Sequence, residues 1–272
     1  MSALTAFHIH ADNHAMETTV NEDVYATPRV VTDLADCYFY HTTDIPGVGT
    51  VRGEWDLRPG ISEYLGRVDF SGKRVLEVGT ASGFVCFHVE SLGANVVAVD
   101  LSQCESWDIV PYATVDTATI FAQRRALAHA MNNAFWLCYR ALQSRARMVY
   151  STAYSIPDAV GIVDITIFAA VLLHMRDPWL ALERTARRTR ETMIVTDLAP
   201  SDDDDLAFVP DPNKNDTSQT WWRFSPRLMV RYLGVLGFRD AVVTHHQQQT
   251  SNGDNVSMFT VVAHRRVSGP AE

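Results

Sequence analysis

Cysteine is scarce in this chain: Cys37, Cys86, Cys104 and Cys138 stand far apart with no CxxC pair. Neither a zinc-ligand spacing nor a redox motif is therefore present. Basic charge is also in deficit, with 23 Lys and Arg against 32 Asp and Glu and a formal net charge of -9. That balance argues against a protein that holds nucleic acid mainly by neutralising phosphates. No apolar run approaches the roughly 18 residues of a membrane span, and residues 1–20 lack the basic and apolar blocks of an export signal. The expectation is a soluble protein of the reducing cytoplasm, with no membrane partner. No internal repeat is found.

What is there is an ordinary globular composition, 47% hydrophobic and 20% charged over 272 residues, which favours one large domain with insertions. Residues 1–27 mix His, Asp, Asn, Glu and Thr without periodicity and are expected to form a flexible arm or lid. The domain is expected over 28–272, with cap elements at 28–70, 116–147 and 199–224. The first of these carries Tyr38, Phe39, Tyr40, Trp55 and Tyr64 between turns such as Pro46-Gly47 and Pro59-Gly60.

From Lys73 the pattern becomes regular. Residues 74–79 predict a buried strand, 84–92 a helix and 95–100 a second strand, which together make a βαβ unit and hence a parallel sheet. A long helix is predicted over 116–147, serving as a cap or as a face for a second copy of the chain. A short strand is predicted over 148–151, and further strands over 163–168 and 192–197 with a helix over 178–190 between them. Residues 199–220 read as an insertion near the active edge. A helix over 226–236 and two apolar runs, 241–244 and 256–263, close the chain around the turn signal Asn252-Gly253. The fold class expected is α/β: a Rossmann-like, mostly parallel sheet with an antiparallel C-terminal hairpin, plus a helical and aromatic cap.

The first strand runs into Glu77-Val-Gly-Thr-Ala-Ser-Gly83. A dinucleotide fingerprint needs Gly-x-Gly-x-x-Gly, but position 81 is Ala, and the lysine of an ATP-binding loop is missing. A ligand with a carboxylate, an amine and a ribose but no phosphate suits the turn better. Asp100 ends the second strand, where a carboxylate can accept from ribose hydroxyls; a helix-capping or loop carboxylate is the alternative. Glu77 has the alternative of pairing with Lys73 or Arg74.

Val75-Leu-Glu-Val-Gly-Thr-Ala-Ser-Gly83, Val97-Ala-Val-Asp100 and Val171-Leu-Leu-His-Met-Arg-Asp-Pro178 resemble motifs of the class I S-adenosylmethionine-dependent methyltransferases. His41, Gly53, Trp55-Asp56, Trp221-Trp222 and Gly237-Phe238 narrow the resemblance to the subgroup related to the bacterial tRNA wobble-uridine carboxymethyltransferase, which includes methyltransferases of unassigned substrate. The resemblance covers residue 38 to the end. It departs at Ala81, where a glycine is common, and at Leu173, where the wobble enzyme has a tyrosine that holds the extra carboxylate of its carboxylated cofactor. Leucine donates no hydrogen bond, and a buried unpaired carboxylate is costly, so ordinary S-adenosylmethionine is expected.

The resemblance implies that Glu77, Gly79, Thr80 and Gly83 surround the methionine end, Asp100 holds the ribose and Leu101 covers an adenine face. Ala153 and Tyr154 would lie by the adenine edge, and Phe168, Ala169 and Ala170 would line the methionine chain. Trp55 would close the cofactor from the cap, or act as a core aromatic. His174 is the first candidate base, with a loop-anchoring role as its alternative; His41 is the second, and Tyr40 a candidate to orient the acceptor. No metal site is expected. His245-His246 would point to opposite sides of a strand, and Asp202 to Asp205 read as solvated loop carboxylates. Arg184, Arg187, Arg188 and Arg190 suggest either an exposed helix end or a nucleic-acid patch.

Three functions follow. The first is a methyltransferase acting on an oxygen or nitrogen of a small-molecule acceptor, with nucleic acid an unexpected partner. The second is a tRNA wobble-base modifying enzyme, and the third a non-catalytic cofactor-binding interaction protein.

Overall fold

The computed structural model describes residues 24–200, 205–214 and 219–265. In chain order, a small antiparallel hairpin of β1 (Thr43–Ile45) and β2 (Gly49–Val51) precedes β3 (Trp55–Asp56) and the single turn α1 (Ile61–Tyr64). There follow β4 (Arg74–Val78), α2 (Phe84–Ser91), β5 (Asn95–Asp100), α3 (Thr117–Ala141), β6 (Arg147–Tyr150), β7 (Val163–Ala169), α4 (Pro178–Ala186) and β8 (Thr189–Leu198). The cap at 199–224 contributes β9 (Leu206–Phe208) and β10 (Trp222–Phe224), and α5 (Pro226–Val235), β11 (Phe238–Thr250) and β12 (Asn255–Arg265) complete the chain.

Eight strands form one sheet in the order β3-β11-β12-β8-β7-β4-β5-β6. β4 to β8 run parallel to one another, β12 runs antiparallel to both β8 and β11, and β3 is antiparallel to β11. The parallel strands are apolar on both faces, as strands covered by helices on each side must be. Val75, Ala98, Ile165 and Ile194 pack with α2 and α3 on one face. Leu76, Val97, Val99 and Val195 pack with α4 and α5 on the other. From β4 the chain steps outward to β5 and β6, then returns to β7 on the opposite side of β4. The crevice between β4 and β7 is thus the topological switch point, where ligands of open α/β sheets bind.

The helices start where the sequence supplies caps. Asp116, Asp177 and Ser225 each accept from a backbone N–H of the first turn, and Pro178 and Pro226 occupy first-turn positions. Their ends differ from the sequence expectation. The helix predicted to 147 stops at Ala141, because Gln143 turns into the left-handed region at φ 54° and 147–150 are drawn into the sheet beside β5. The helix predicted to 190 stops at Ala186, where the Thr189 hydroxyl donates to the Thr185 carbonyl at 2.7 Å and opens β8. The C-terminal apolar runs are the middles of much longer strands: the flanks of β11 are polar because that strand is mostly solvent-facing.

Of the expected arm, residues 1–23 lie outside the described residues. At 24–27 the chain is attached: the Ala26 N–H donates to the Met148 carbonyl at 2.8 Å, and the Tyr25 ring lies 4.9 Å from the Arg147 guanidinium.

Candidate functional site

A cavity of about 290 Å³ opens at the carboxyl ends of β4, β5, β6 and β7, near the lower bound of about 300 Å³ for ordinary ligand pockets. Its floor is largely backbone. Gly79 leaves β4 at φ 81°, and Ala81 and Gly83 repeat the left-handed conformation at 51° and 89°. For the non-glycine Ala81 this costs about 1–2 kcal/mol, a strain of the kind stored at ligand sites. The Asp100 carboxylate offsets it by accepting the Ala81 N–H at 2.6 Å and the Leu101 N–H at 2.7 Å. Burial nevertheless pushes the Asp100 carboxyl up to about 6.

The amino-terminal segment joins this floor directly. The Tyr40 and His41 N–H groups donate to Ser82 Oγ at 3.2 and 3.4 Å. Burial lowers the His41 imidazole to about 3, so it stays neutral, and its buried Nδ1 has no partner. Burial also raises the Tyr40 phenol. His174 lies in the turn after β7, where its Nδ1 meets the Gln219 carbonyl at 3.2 Å. A carbonyl only accepts, so Nδ1 carries the proton and Nε2 keeps a lone pair. Burial, and more weakly Arg124, lower the His174 pKa, while the Gln219 contact raises it.

Of the sequence-predicted residues, Tyr40, His41, Gly79, Asp100, Leu101, Ala153, Tyr154, Ala169, Ala170 and His174 border the cavity. Trp55, Glu77, Thr80, Gly83 and Phe168 stand behind its wall, each for a physical reason. Trp55 pairs with Thr250 in the sheet, and its N–H and side chain hold the Tyr40 carbonyl and hydroxyl. Strand alternation turns Glu77, like Val75, toward α2. There its carboxyl is 2% exposed, accepts from the Thr80 hydroxyl at 2.7 Å, and is pushed by burial up to about 8. Gly83 caps α2 where a Cβ would stand 2.4 Å from Phe87 Cε2. The same alternation sends Phe168 into the layer beneath α4.

The sequence reading missed Tyr38, Glu54, Trp107, Asp108, Arg124 and Gln219, which complete the walls. Tyr38 donates to the Glu54 carboxylate. Arg124 on α3 lies 5.6 Å over the Trp107 ring, and the Gln219 amide, turned with its oxygen inward, accepts from it at 2.7 Å. Burial lowers the Arg124 pKa against the opposing pull of Glu54. The cavity thus has a backbone-built half around Gly79 and Asp100 and a side-chain-built half containing aromatic rings, two histidines, the carboxylates of Glu54 and Asp108 and the guanidinium of Arg124.

No protein-family model matches the sequence, and no curated protein matches it. Solved structures do match in shape. The N-terminal domain of EvdMO1, solved with SAH and D-fucose, has 16% identity and a TM-score of 0.51 over 84% of this chain and 91% of its own. The magnesium protoporphyrin IX methyltransferase of Synechocystis, with bound SAH, has 14% identity and a TM-score of 0.50 over 77% and 82%. A SAM-dependent methyltransferase from Methanosarcina mazei has 15% identity and a TM-score of 0.50 over 78% and 100%. The fold is that of the class I S-adenosylmethionine-dependent methyltransferases.

On this methyltransferase fold each helix arginine has a partner within the chain, Arg187 and Arg190 at the exposed surface. Arg184 donates to the Tyr154 carbonyl at 2.7 Å, Arg187 pairs with Glu183, and Arg190 meets Asp164 at 2.8 Å. Arg188 turns inward to the carbonyls of Ile156 and Pro157 at 2.9 and 3.0 Å. His245 faces solvent while His246 Nε2 meets the Thr260 hydroxyl at 2.9 Å. Asp202 to Asp204 lie outside the described residues; Asp205 holds Arg227 at 2.9 Å. Among the described residues no group of three His, Cys, Asp or Glu is placed to hold a metal, and no helix is long and apolar enough to cross a membrane.

Proposed function

We propose that the chain is an S-adenosylmethionine-dependent methyltransferase that modifies an oxygen or nitrogen of a small-molecule acceptor. One observation carries this reading: a buried strand-end carboxylate, Asp100, and the side-chain-free approach at Gly79 face one cavity at the switch point. The residues present fit a nucleoside joined to an amino acid. Asp100 retains lone pairs for ribose hydroxyls, Leu101, Ala153 and Tyr154 offer an adenine-sized apolar slot, and Gly79, Ala169 and Ala170 leave room for a thin chain. The loop has neither the second glycine of a dinucleotide fingerprint, position 81 being Ala, nor the lysine of an ATP-binding loop. Leu173 is 5% exposed within an apolar layer, which favours the ordinary cofactor over a carboxylated one.

Bound there, S-adenosylmethionine supplies a methyl group already made electrophilic by its sulfonium, so no covalent protein intermediate is needed. The chain's own task is alignment and exclusion of water. His174, with Nδ1 committed to Gln219, accepts the proton of an acceptor hydroxyl or ring N–H at Nε2. Arg124 favours the negative charge that develops on the acceptor as that proton leaves. Tyr40 and the Trp107 ring bound the acceptor's apolar part.

The net charge of -9 and the inward turn of Arg188, 12% exposed, favour the small-molecule acceptor over a tRNA base. Isothermal titration with S-adenosylmethionine and S-adenosylhomocysteine tests the reading. Micromolar binding of both is expected, and binding of neither removes it.

A further inference from the structure

Asp108 lies in the irregular segment between β5 and α3, which sequence periodicity leaves unread. Its contacts gather segments from four parts of the chain. The Tyr154 hydroxyl, from the loop after β6, donates to its carboxylate. The Arg176 N–H, after β7, donates to Oδ2 at 2.8 Å. The Trp221 indole N–H, from the cap at 199–224, donates to the Asp108 carbonyl at 2.8 Å. Two of these partners are themselves braced: the Asp177 N–H donates to the Tyr154 hydroxyl at 3.2 Å, and the Trp221 N–H to the Leu173 carbonyl at 2.8 Å. The Arg176 guanidinium lies 5.2 Å from the Trp221 ring centroid.

Asp108 and the two residues before it, Ser106 and Trp107, line the cavity. Trp107 in turn lies under Arg124 on the acceptor side. A cavity of about 290 Å³ is near the lower bound of ordinary ligand pockets, about 300 Å³, so a nucleoside-sized ligand fills it. The segment carrying Trp107 forms one wall of that cavity, so its attachment to the other walls bears on how readily a bound ligand leaves.

We propose that Asp108 is a positioning residue: its carboxylate and carbonyl clasp the 101–116 segment to the loops after β6 and β7 and to the cap at 199–224, and this clasp controls release of the nucleoside product. The inference rests on the methyltransferase reading. Removing a carboxylate that accepts two hydrogen bonds takes away charge-assisted contacts that hold the 101–116 segment against the other walls. Release is the affected step, because the clasp holds the wall against a ligand already bound.

The test is stopped-flow displacement of S-adenosylhomocysteine from wild type, Asp108→Ala, Asp108→Asn and Trp221→Phe. Asp108→Ala is expected to release the ligand about 10- to 100-fold faster, with the association rate within about threefold of wild type. Asp108→Asn, which keeps an acceptor oxygen without the charge, falls between. Trp221→Phe preserves the ring over which Arg176 lies, borders no part of the cavity and loses one neutral hydrogen bond, so release about two- to tenfold faster is expected. This variant decides the matter if Asp108→Ala does not fold. Wild-type release rates in both Asp108→Ala and Trp221→Phe overturn the clasp while leaving the methyltransferase reading intact. Failure of wild type to bind S-adenosylhomocysteine overturns both.

Discussion

Substituting alanine at Gly79 tests the claim that the cavity floor must be free of side chains. The added Cβ would stand 2.6 Å from Val171 Cγ2 and 3.1 Å from Val171 Cβ. Val171 cannot swing aside easily, since a β-branched side chain has a restricted χ1 and its carbonyl is held by the His174 N–H at 3.1 Å. Gly79 cannot recoil either without losing the 2.8 Å bond from its N–H to the Val99 carbonyl. Two costs therefore add. The φ of 81° costs a non-glycine residue about 1–2 kcal/mol, and the overpacked contact about 1–3 kcal/mol. A destabilisation of about 2–5 kcal/mol corresponds to a fall in Tm of about 4–20 °C for a chain of this size. Calorimetry gives the Tm, and titration with S-adenosylhomocysteine on the folded variant gives the affinity, which falls because the methyl group enters the cavity wall. The steric part is separated by the double variant with Val171→Ala, where a favourable coupling of about 1–3 kcal/mol is expected. A Gly79→Ala protein melting within 2 °C (about 0.5–1 kcal/mol) of wild type, or a double variant without coupling, refutes the reasoning.

Three further outcomes follow from the same geometry. Asp100→Asn replaces a carboxylate that accepts two backbone N–H groups with an amide that can accept at only one oxygen; calorimetric titration should show S-adenosylhomocysteine binding weakened about 10- to 100-fold, and unchanged affinity excludes Asp100 from the ribose site. Glu77, held up to about 8 in the folded protein against an unfolded value near about 4.3, favours the folded state most at low pH. That contribution is lost as pH rises through about 8. Glu77→Gln should therefore flatten the fall of Tm between pH 5 and 8.5, and parallel curves for the two proteins count against the burial argument. For His174, burial and Arg124 outweigh the Gln219 contact and lower the pKa. An imidazole NMR titration, with His174→Asn for assignment, should place its inflection below about 6.5, and an inflection above that value denies it the role of a base that is neutral at working pH.

Much of the floor was legible because its chemistry is local. The strands β4, β5 and β7 are buried on both faces and read as unbroken apolar runs, and the glycines that follow β4 mark a backbone turned left-handed. Glu77 shows what a local signal leaves open. The resemblance implies a place at the methionine end, and the alternation that buries Val75 puts the Glu77 carboxylate on the α2 face, behind the wall around Gly79. Trp55, read as closing the cofactor or as a core aromatic, packs against the core, and its place rests on a long-range contact. Its partner, Thr250, is distant in sequence, and only the pairing of β3 with the end of β11 turns an exposed-looking aromatic into a brace behind Tyr40. The end of α3 was hidden because residues 142–147 contain good helix formers, and the edge-strand pairing of β6 overrides that propensity.

The roof was not legible at all, and the reason bears on what the protein can be matched to. Trp107, Asp108, Arg124 and Gln219 come from an irregular loop, the half of α3 that is least buried, and an insertion. Their significance arises only from contacts across the cavity, such as Tyr154 with Asp108 and Gln219 with His174. Likeness of fold at 14–16% identity is carried by the sheet and the turns at its carboxyl ends. Under the proposed function the acceptor meets the segments above them instead. Acceptor chemistry is therefore to be sought in the segments that hold Glu54, Trp107, Arg124 and Gln219, and exchanging residues there should change which acceptor is used while the affinity set by Gly79 and Asp100 persists.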